Sequence, residues 1–197
     1  LILFFAVFVS GCSLLAPNVK TELTELRKGA YELDPKHTAV LFKVEHLGLS
    51  KFVGRFGKVE ASLDFDSKNI ENSSLQAIID MSSIDVNNAD FAETLRGPEW
   101  LNAARYPQAI FESKSAVKRE QNLVIFSGEL TFLGVSKEVD VEVKFNGGAN
   151  NLFNGTYTIG FEARSQFKRS DFGLDSYPAL IGDQIEIEVY AEFLRIR

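Results

Sequence analysis

Residues 31–56 read YELDPKHTAVLFKVEHLGLSKFVGRF, and their pattern sets the architecture. A short extended piece is expected first, then a turn at Asp34-Pro35, then strict alternation. Thr38, Val40, Phe42, Val44 and His46 fall on one face, and Leu41, Lys43 and Glu45 on the other. Successive strand side chains point to opposite faces, so this is a strand with one hidden and one mostly wetted side.

Working outward, the same period recurs almost without break. Val59, Ala61, Leu63 and Phe65 alternate with Glu60, Ser62, Asp64 and Asp66. Leu75, Ala77, Ile79 and Met81 repeat it. Further strands are expected over residues 109–118, 123–133, 139–145, 157–163 and 185–193. Between residues 85 and 101 the rhythm changes. Phe91, Ala92 and Leu95 have helical spacing, and Gly97-Pro98 interrupts. Gly suits a helix end and Pro a helix start, which predicts short helices over 88–96 and 98–104. Residues 146–151, NGGANN, have turn chemistry, and 165–183 read as a mixed loop. About eight strands with short connections, and no alternation of strand with helix, define an all-β antiparallel fold. A sandwich and a closed barrel both fit that pattern. Phe65, Val141, Phe145, Ile159, Ile187 and Phe193 are expected inside, and Glu60, Glu142, Glu186 and Glu188 outside, because a one-residue slip would reverse them all.

The chain has 197 residues, enough for one domain and a short appendage. Its 17 Phe against one Trp and five Tyr point to a thick aromatic core or an apolar chamber. The net charge of −6 argues against a nucleic-acid partner and against electrostatic docking on anionic lipid.

Residues 1–11, LILFFAVFVSG, are uncharged and too short to span a bilayer as a mature helix. They suit a signal-peptide core, here without the Met and basic segment expected before it. Val9-Ser10-Gly11-Cys12 resembles the bacterial lipobox, in which the chain is cut before Cys and the thiol is lipidated. The division expected is a lipoprotein signal peptide at 1–11, lipidated Cys12 with a tether to 29, and a barrel domain over 30–197. Within the tether, Leu23 and Leu26 could lie on a short helix. Ser13 after the Cys resembles an outer-membrane address, so the expected location is the periplasmic face of that membrane.

Nucleotide-loop, nucleophile-elbow and metalloprotease motifs are absent from the sequence. Asp64 and Asp66 hint at a calcium loop, but Lys68 and Leu75 stand where further oxygen ligands belong. His37 and His46 are nine residues apart, too far to share a metal at roughly 3.3 Å per strand residue. No catalytic residue and no metal site is assigned. Arg164, Lys168 and Arg169 make residues 164–177 locally cationic, beside Asp171 and Asp175. That stretch reads either as an ion-paired loop closing the fold or as a cationic rim for a head group.

The order of short motifs carries a resemblance. Tyr31-x-x-Asp34-x-x-His37-Thr38, Phe42, His46 and Gly54-x-Phe56 resemble the opening of the YceI-like family of polyisoprenoid-binding proteins. Ser83-Ile84-Asp85, Leu95-Arg96 with Glu99-Trp100-Leu101, and Tyr106-Pro107-x-Ala109-x-Phe111 follow in the family's order. So do Gly128-x-Leu130-Thr131-x-x-Gly134-Val135-Ser136-Lys137 and Arg169-Ser170-Asp171-Phe172-Gly173. The resemblance spans residues 31–195. It implies an antiparallel lipocalin-like β-barrel with an apolar tunnel, holding a polyprenyl phosphate or an isoprenoid quinone. Trp100 departs from the Phe usual there.

The ligand-binding residues expected are Phe42, Val44 and His46 on the first strand, and Phe56, Trp100, Phe111, Phe132 and Phe172 around them. His37 and Arg169 are the scarce polar groups that could meet a head group. No cofactor is expected beyond a bound isoprenoid lipid or quinone. The expected partners are that lipid, the bacterial membrane through lipidated Cys12, and in some settings a second copy in a homodimer. The competing functions are a ligand-free envelope interaction or stress protein and an enzyme using His46 or an acidic residue as acid/base on such a lipid.

Overall fold

Among the described residues the strand β1 (Gly29–His46) is the longest of ten, and both of its edges are paired along most of its length. A computed structural model describes residues 17–196 of the chain. After β1 come β2 (Ser50–Phe56), β3 (Val59–Phe65), β4 (Ser74–Asp80), β5 (Ile84–Asp85), helix α1 (Ala89–Arg96), β6 (Gln108–Lys118), β7 (Leu123–Phe132), β8 (Val135–Asn150), β9 (Tyr157–Lys168) and β10 (Ile181–Arg195). The sheet order is β10-β9-β8-β7-β6-β4-β3-β1-β2-β5, and β10 pairs back onto β1.

The ring is therefore closed, and all its pairs are antiparallel. Closure leaves no long exposed edge. The ten segments form eight staves. β2 and β3 occupy the same edge of β1 in succession, Phe56 lying opposite Val40 and Ser62 opposite Glu32. β4 and β5 follow them in the next position. Gly57 N–H donates to Ser83 O (3.0 Å) and Asp80 N–H to Lys58 O (3.1 Å) across the break. The fold is an eight-stranded antiparallel barrel with one short helix, as expected from the sequence.

The expected turn at Asp34-Pro35 is a bulge inside β1. Leu33 faces Phe193 and Thr38 faces Ala191, so β1 uses five steps where β10 uses two. Pro has no N–H to give to a ladder and is extruded. Asp34 Oδ1 accepts from Lys36 N–H (2.9 Å), and Thr38 Oγ1 donates to Asp34 O (2.7 Å), which holds the bulge.

One end of the barrel is sealed. A single 3-10 turn, Leu23–Glu25, inserts Leu23 (1% exposed), with Leu26 (3%) beside it. Lys20 and Gly148 exchange two backbone hydrogen bonds of 2.8 Å, and the Asn122 side chain accepts from Leu23 N–H and donates to Thr21 O. From Lys20 onward, the segment expected as a tether is part of the domain. This contact also explains NGGANN, of which residues 146–150 are strand rather than turn. A side chain on Gly147 (φ +145°) would stand 2.8 Å from Lys20 O, so the glycine admits the crossing chain. Residues 1–16, including the expected signal peptide and Cys12, lie outside the described residues.

Above this floor the aromatic residues fill the barrel. Phe65 stacks on Phe145 (centroids 5.0 Å) and Phe161 meets Phe193 (4.9 Å). Each such fully buried side chain contributes roughly 1.5–3 kcal/mol. The residues expected inside, Phe65, Phe145, Ile159 and Phe193, are buried, and Val141 and Ile187 also face inward. Glu60 and Glu142 are exposed, while Glu186 and Glu188 pair outside with Lys51 and Lys43.

At the other end α1 is capped by Asn88, whose side chain accepts from Phe91 N–H. The second helix expected, over 98–104, is a set of turns. Leu101 N–H donates to Leu95 O, Ala103 N–H to Arg96 O and Asn102 N–H to Gly97 O, so the chain wraps back and satisfies the end of α1. The 165–183 stretch is also more regular than expected. β9 runs through Lys168, one 3-10 turn (Arg169–Phe172) follows, and β10 starts at Ile181.

Candidate functional site

Between the aromatic floor and the α1 end lies a cavity of about 640 Å³. β1 supplies Thr38, Val40, Phe42 and Val44 to its wall, in the alternation read from the sequence. Other staves carry Ala61, Ala77, Ala109 and Ala163 at inward positions. Small residues there leave room that Leu or Phe would have filled. Phe52 and Phe56 from β2, Phe132 from β7 and Phe167 from β9 close the sides, and Phe91, Leu95 and Trp100 lie under α1 and its turn.

Of the residues expected at a ligand site, Phe42, Val44, His46, Phe56, Trp100, Phe111, Phe132 and Arg169 line this cavity. Trp100 is at the opening, stacked on Tyr177 (5.8 Å, 18°), so it shapes the mouth rather than the depth. His46 is exposed at the lip. Phe172 is buried behind the wall, edge-on to Phe132 (5.6 Å) and Phe167 (5.2 Å).

His37 faces away from the cavity. The bulge turns it outward, where Nδ1 lies 2.9 Å from Asp34 Oδ2 and 3.9 Å from Glu192 Oε2. The hydrogen bond to Asp34, and then the charge of Glu192, raise its pKa above the ordinary imidazole value. The bond to His37 in turn holds the Asp34 carboxyl below its usual range. Among the described residues these three are grouped closely enough to ligate an ion together, on the exposed outer face.

Arg169 is not a free cation at a rim. It is 3% exposed, and its guanidinium donates to four backbone carbonyls: Gly182 (2.9 Å), Leu174 (2.7 Å), Ser176 (2.9 Å) and Ile181 (3.1 Å). The residue staples the 169–182 loop over the barrel end. Of the two readings of this stretch, loop closure fits, but through carbonyls rather than ion pairs. Arg164 lies in register with Glu142 and Glu188 on the outer face. The interior is thus almost wholly hydrocarbon, with polar groups confined to its opening.

Phe52, Phe91, Phe167, Tyr177 and Leu180 also line the cavity and were not singled out by sequence. Phe52 and Phe167 were within reach, since Phe52-Gly54-Phe56 and Phe161-Ala163-Ser165-Phe167 alternate. Tyr177 and Leu180 sit in a loop without period and carried no such signal.

A closed eight-stave barrel around an apolar chamber is an architecture with room for one small apolar ligand. The chain matches the YceI-like domain over residues 31–193 and belongs to that family. It is similar to the UPF0312 protein of Yersinia pestis (strain Pestoides F), with 32% identity over 169 residues, covering 85% of this chain and 87% of the relative. Among solved structures, BcnA of Burkholderia cenocepacia superimposes with a TM-score of 0.72 at 26% identity, covering 81% of this chain and 98% of BcnA. A polyisoprenoid binding domain from Saccharophagus degradans shares the fold (TM-score 0.64, 14% identity), covering 86% of this chain and 100% of that domain.

Proposed function

We propose that the barrel binds and carries a long-chain isoprenoid lipid with an uncharged head, of the isoprenoid quinone or polyprenol class, in the bacterial envelope. The hydrocarbon cavity is the observation that carries this reading. Transfer of roughly 400 Å² of prenyl surface from water contributes on the order of 10 kcal/mol before ordering costs. Two cations border the cavity: carbonyls already take four donors of the buried Arg169, and the exposed Arg164 lies in register with Glu142 and Glu188. A phosphate entering there would lose its hydration without gaining charge-assisted hydrogen bonds, which disfavours a polyprenyl phosphate. A quinone ring or hydroxyl could instead meet the polar lip at His46.

The envelope location is part of the same proposal and is supported by the apolar run and the Val9-Ser10-Gly11-Cys12 pattern. On that reading lipidated Cys12 tethers the protein at the periplasmic face, and Cys12→Ala releases it to the soluble fraction.

Mass spectrometry of lipid extracted from the purified protein tests the binding. A prenyl quinone or prenol at near one per protein is expected. A polyprenyl phosphate preferred over its free alcohol in competition would overturn the head-group assignment. Failure of any prenyl lipid to bind would overturn the function.

A further inference from the structure

The cavity mouth is bordered by two apolar tips. The β1–β2 tip presents Leu47 (48% exposed) and Leu49 (83%), and the loop before β10 presents Tyr177 (52%) and Leu180 (48%). They are joined, since Leu47 N–H donates to Leu180 O at 2.8 Å. Across the opening, Phe91 of α1 is exposed and meets Phe52 edge-on at 5.7 Å. Leu47 and Tyr177 both have left-handed backbones, φ 57° and 55°, where bulky side chains are uncommon. Glycine would relieve that strain, yet large apolar groups stand there, about half exposed.

We infer that this rim docks on the surface of an electrically neutral, zwitterionic bilayer, so that a prenyl chain passes from the acyl region into the barrel without crossing water. The inference rests on the lipid-binding reading above. Its first support is continuity: Tyr177, Leu180 and Phe91 belong to both the rim and the cavity wall, so the apolar surface is unbroken from outside to inside. The second is charge. Lys51 beside the rim is held by Glu186 at 2.5 Å, Arg96 by Glu93 at 2.9 Å, and Glu45 lies at the lip. An anionic leaflet would call for a cluster of free Lys and Arg, and the net charge is −6. The third is composition, because a stacked Trp100–Tyr177 pair has the amphipathic rings that favour the headgroup level.

Trp100 is the single Trp of the chain and reports on the mouth alone. The full-length protein is mixed with phosphatidylcholine vesicles whose acyl chains carry bromine, and Trp100 fluorescence is followed. Quenching is expected, together with uptake of a prenol dissolved in the vesicles. Leu47→Asp with Leu49→Asp, at rim residues outside the cavity wall, should abolish the quenching and slow uptake from vesicles by about tenfold or more, while uptake from detergent is unchanged. Phe153→Asp, at the opposite pole and 100% exposed in wild type, should change neither. The inference is overturned if Trp100 is not quenched by vesicles, if quenching needs anionic lipid, or if Phe153→Asp is the variant that loses it. It is likewise overturned if sedimentation shows the rim buried between two copies. Uptake from detergent reports separately on lipid binding, so loss of that signal in wild type refutes the carrier function whatever the vesicles show.

Discussion

The ring of Phe42 lies against Gly54 on the adjacent strand, so closely that a methyl on Gly54 would come within 2.4 Å of Cε1 and Cζ of Phe42. The missing side chain lets the ring rest against the wall instead of standing in the chamber. Gly54→Ala should push Phe42 into the cavity. Bound prenyl lipid per protein is expected to fall sharply, with a stability loss of about 1–3 kcal/mol from overpacking. Lipid quantitation beside a urea unfolding curve checks both. Unchanged occupancy would show that the ring's position does not matter to the ligand.

Arg169 separates a structural cation from a ligand-binding one. Arg169→Met leaves its half-buried carbonyl partners without donors, at about 1–3 kcal/mol for each one that finds no water. The urea midpoint should drop markedly, and Arg169→Lys should recover only part of it, since an ammonium cannot span the same fork. A head-group residue would behave in the opposite way, with normal stability and altered lipid preference.

Asp66 makes the acid limb of the stability curve predictable. Lys28 Nζ at 2.6 Å, with the N–H groups of Lys68 and Asn69, lowers its pKa from 3.8 to about 2. The unfolded chain takes up the proton first. This contribution is therefore complete above the ordinary carboxylate value and is lost as pH falls toward 2. Asp66→Asn should be less stable at neutral pH, and the difference from wild type should shrink below pH 4.

His37 acts in the opposite sense. Its raised pKa means that its stabilising share is present below pH 6.5 and fades as pH rises through the higher folded value. The chain has two histidines, so an NMR titration with a His37→Gln variant assigns both ring signals. The signal removed in the variant should titrate above the ordinary imidazole value in wild type, and Glu192→Gln with His37 intact should bring it down. An ordinary value would mean that the Asp34 contact is not populated in solution.

How much of this was legible beforehand depends on period. Thr38 to His46 and Val139 to Phe145 alternate cleanly, and their inward faces follow from the two-residue repeat alone. The turn read at Asp34-Pro35 and the one read at NGGANN were local inferences. Both stretches are strand instead, because the neighbour each one answers to is distant in sequence. Pro35 is extruded against β10, and Gly147 gives way to Lys20.

By itself, then, the sequence determined the class of fold, the inward faces of most staves, the placement of α1 and an apolar interior rich in Phe. Hydrophobic alternation and helix capping are properties of neighbouring residues, and they need no knowledge of the rest of the chain. Tertiary structure decided where the Phe residues pack solid and where Ala61, Ala77, Ala109 and Ala163 leave a chamber, because a void depends on what faces a residue across the barrel. It also decided the fate of the polar candidates. His37 and Arg169 were chosen for their chemistry, but a bulge turned one outward and four carbonyls engaged the other, and no spacing along the chain records which partner a side chain will meet.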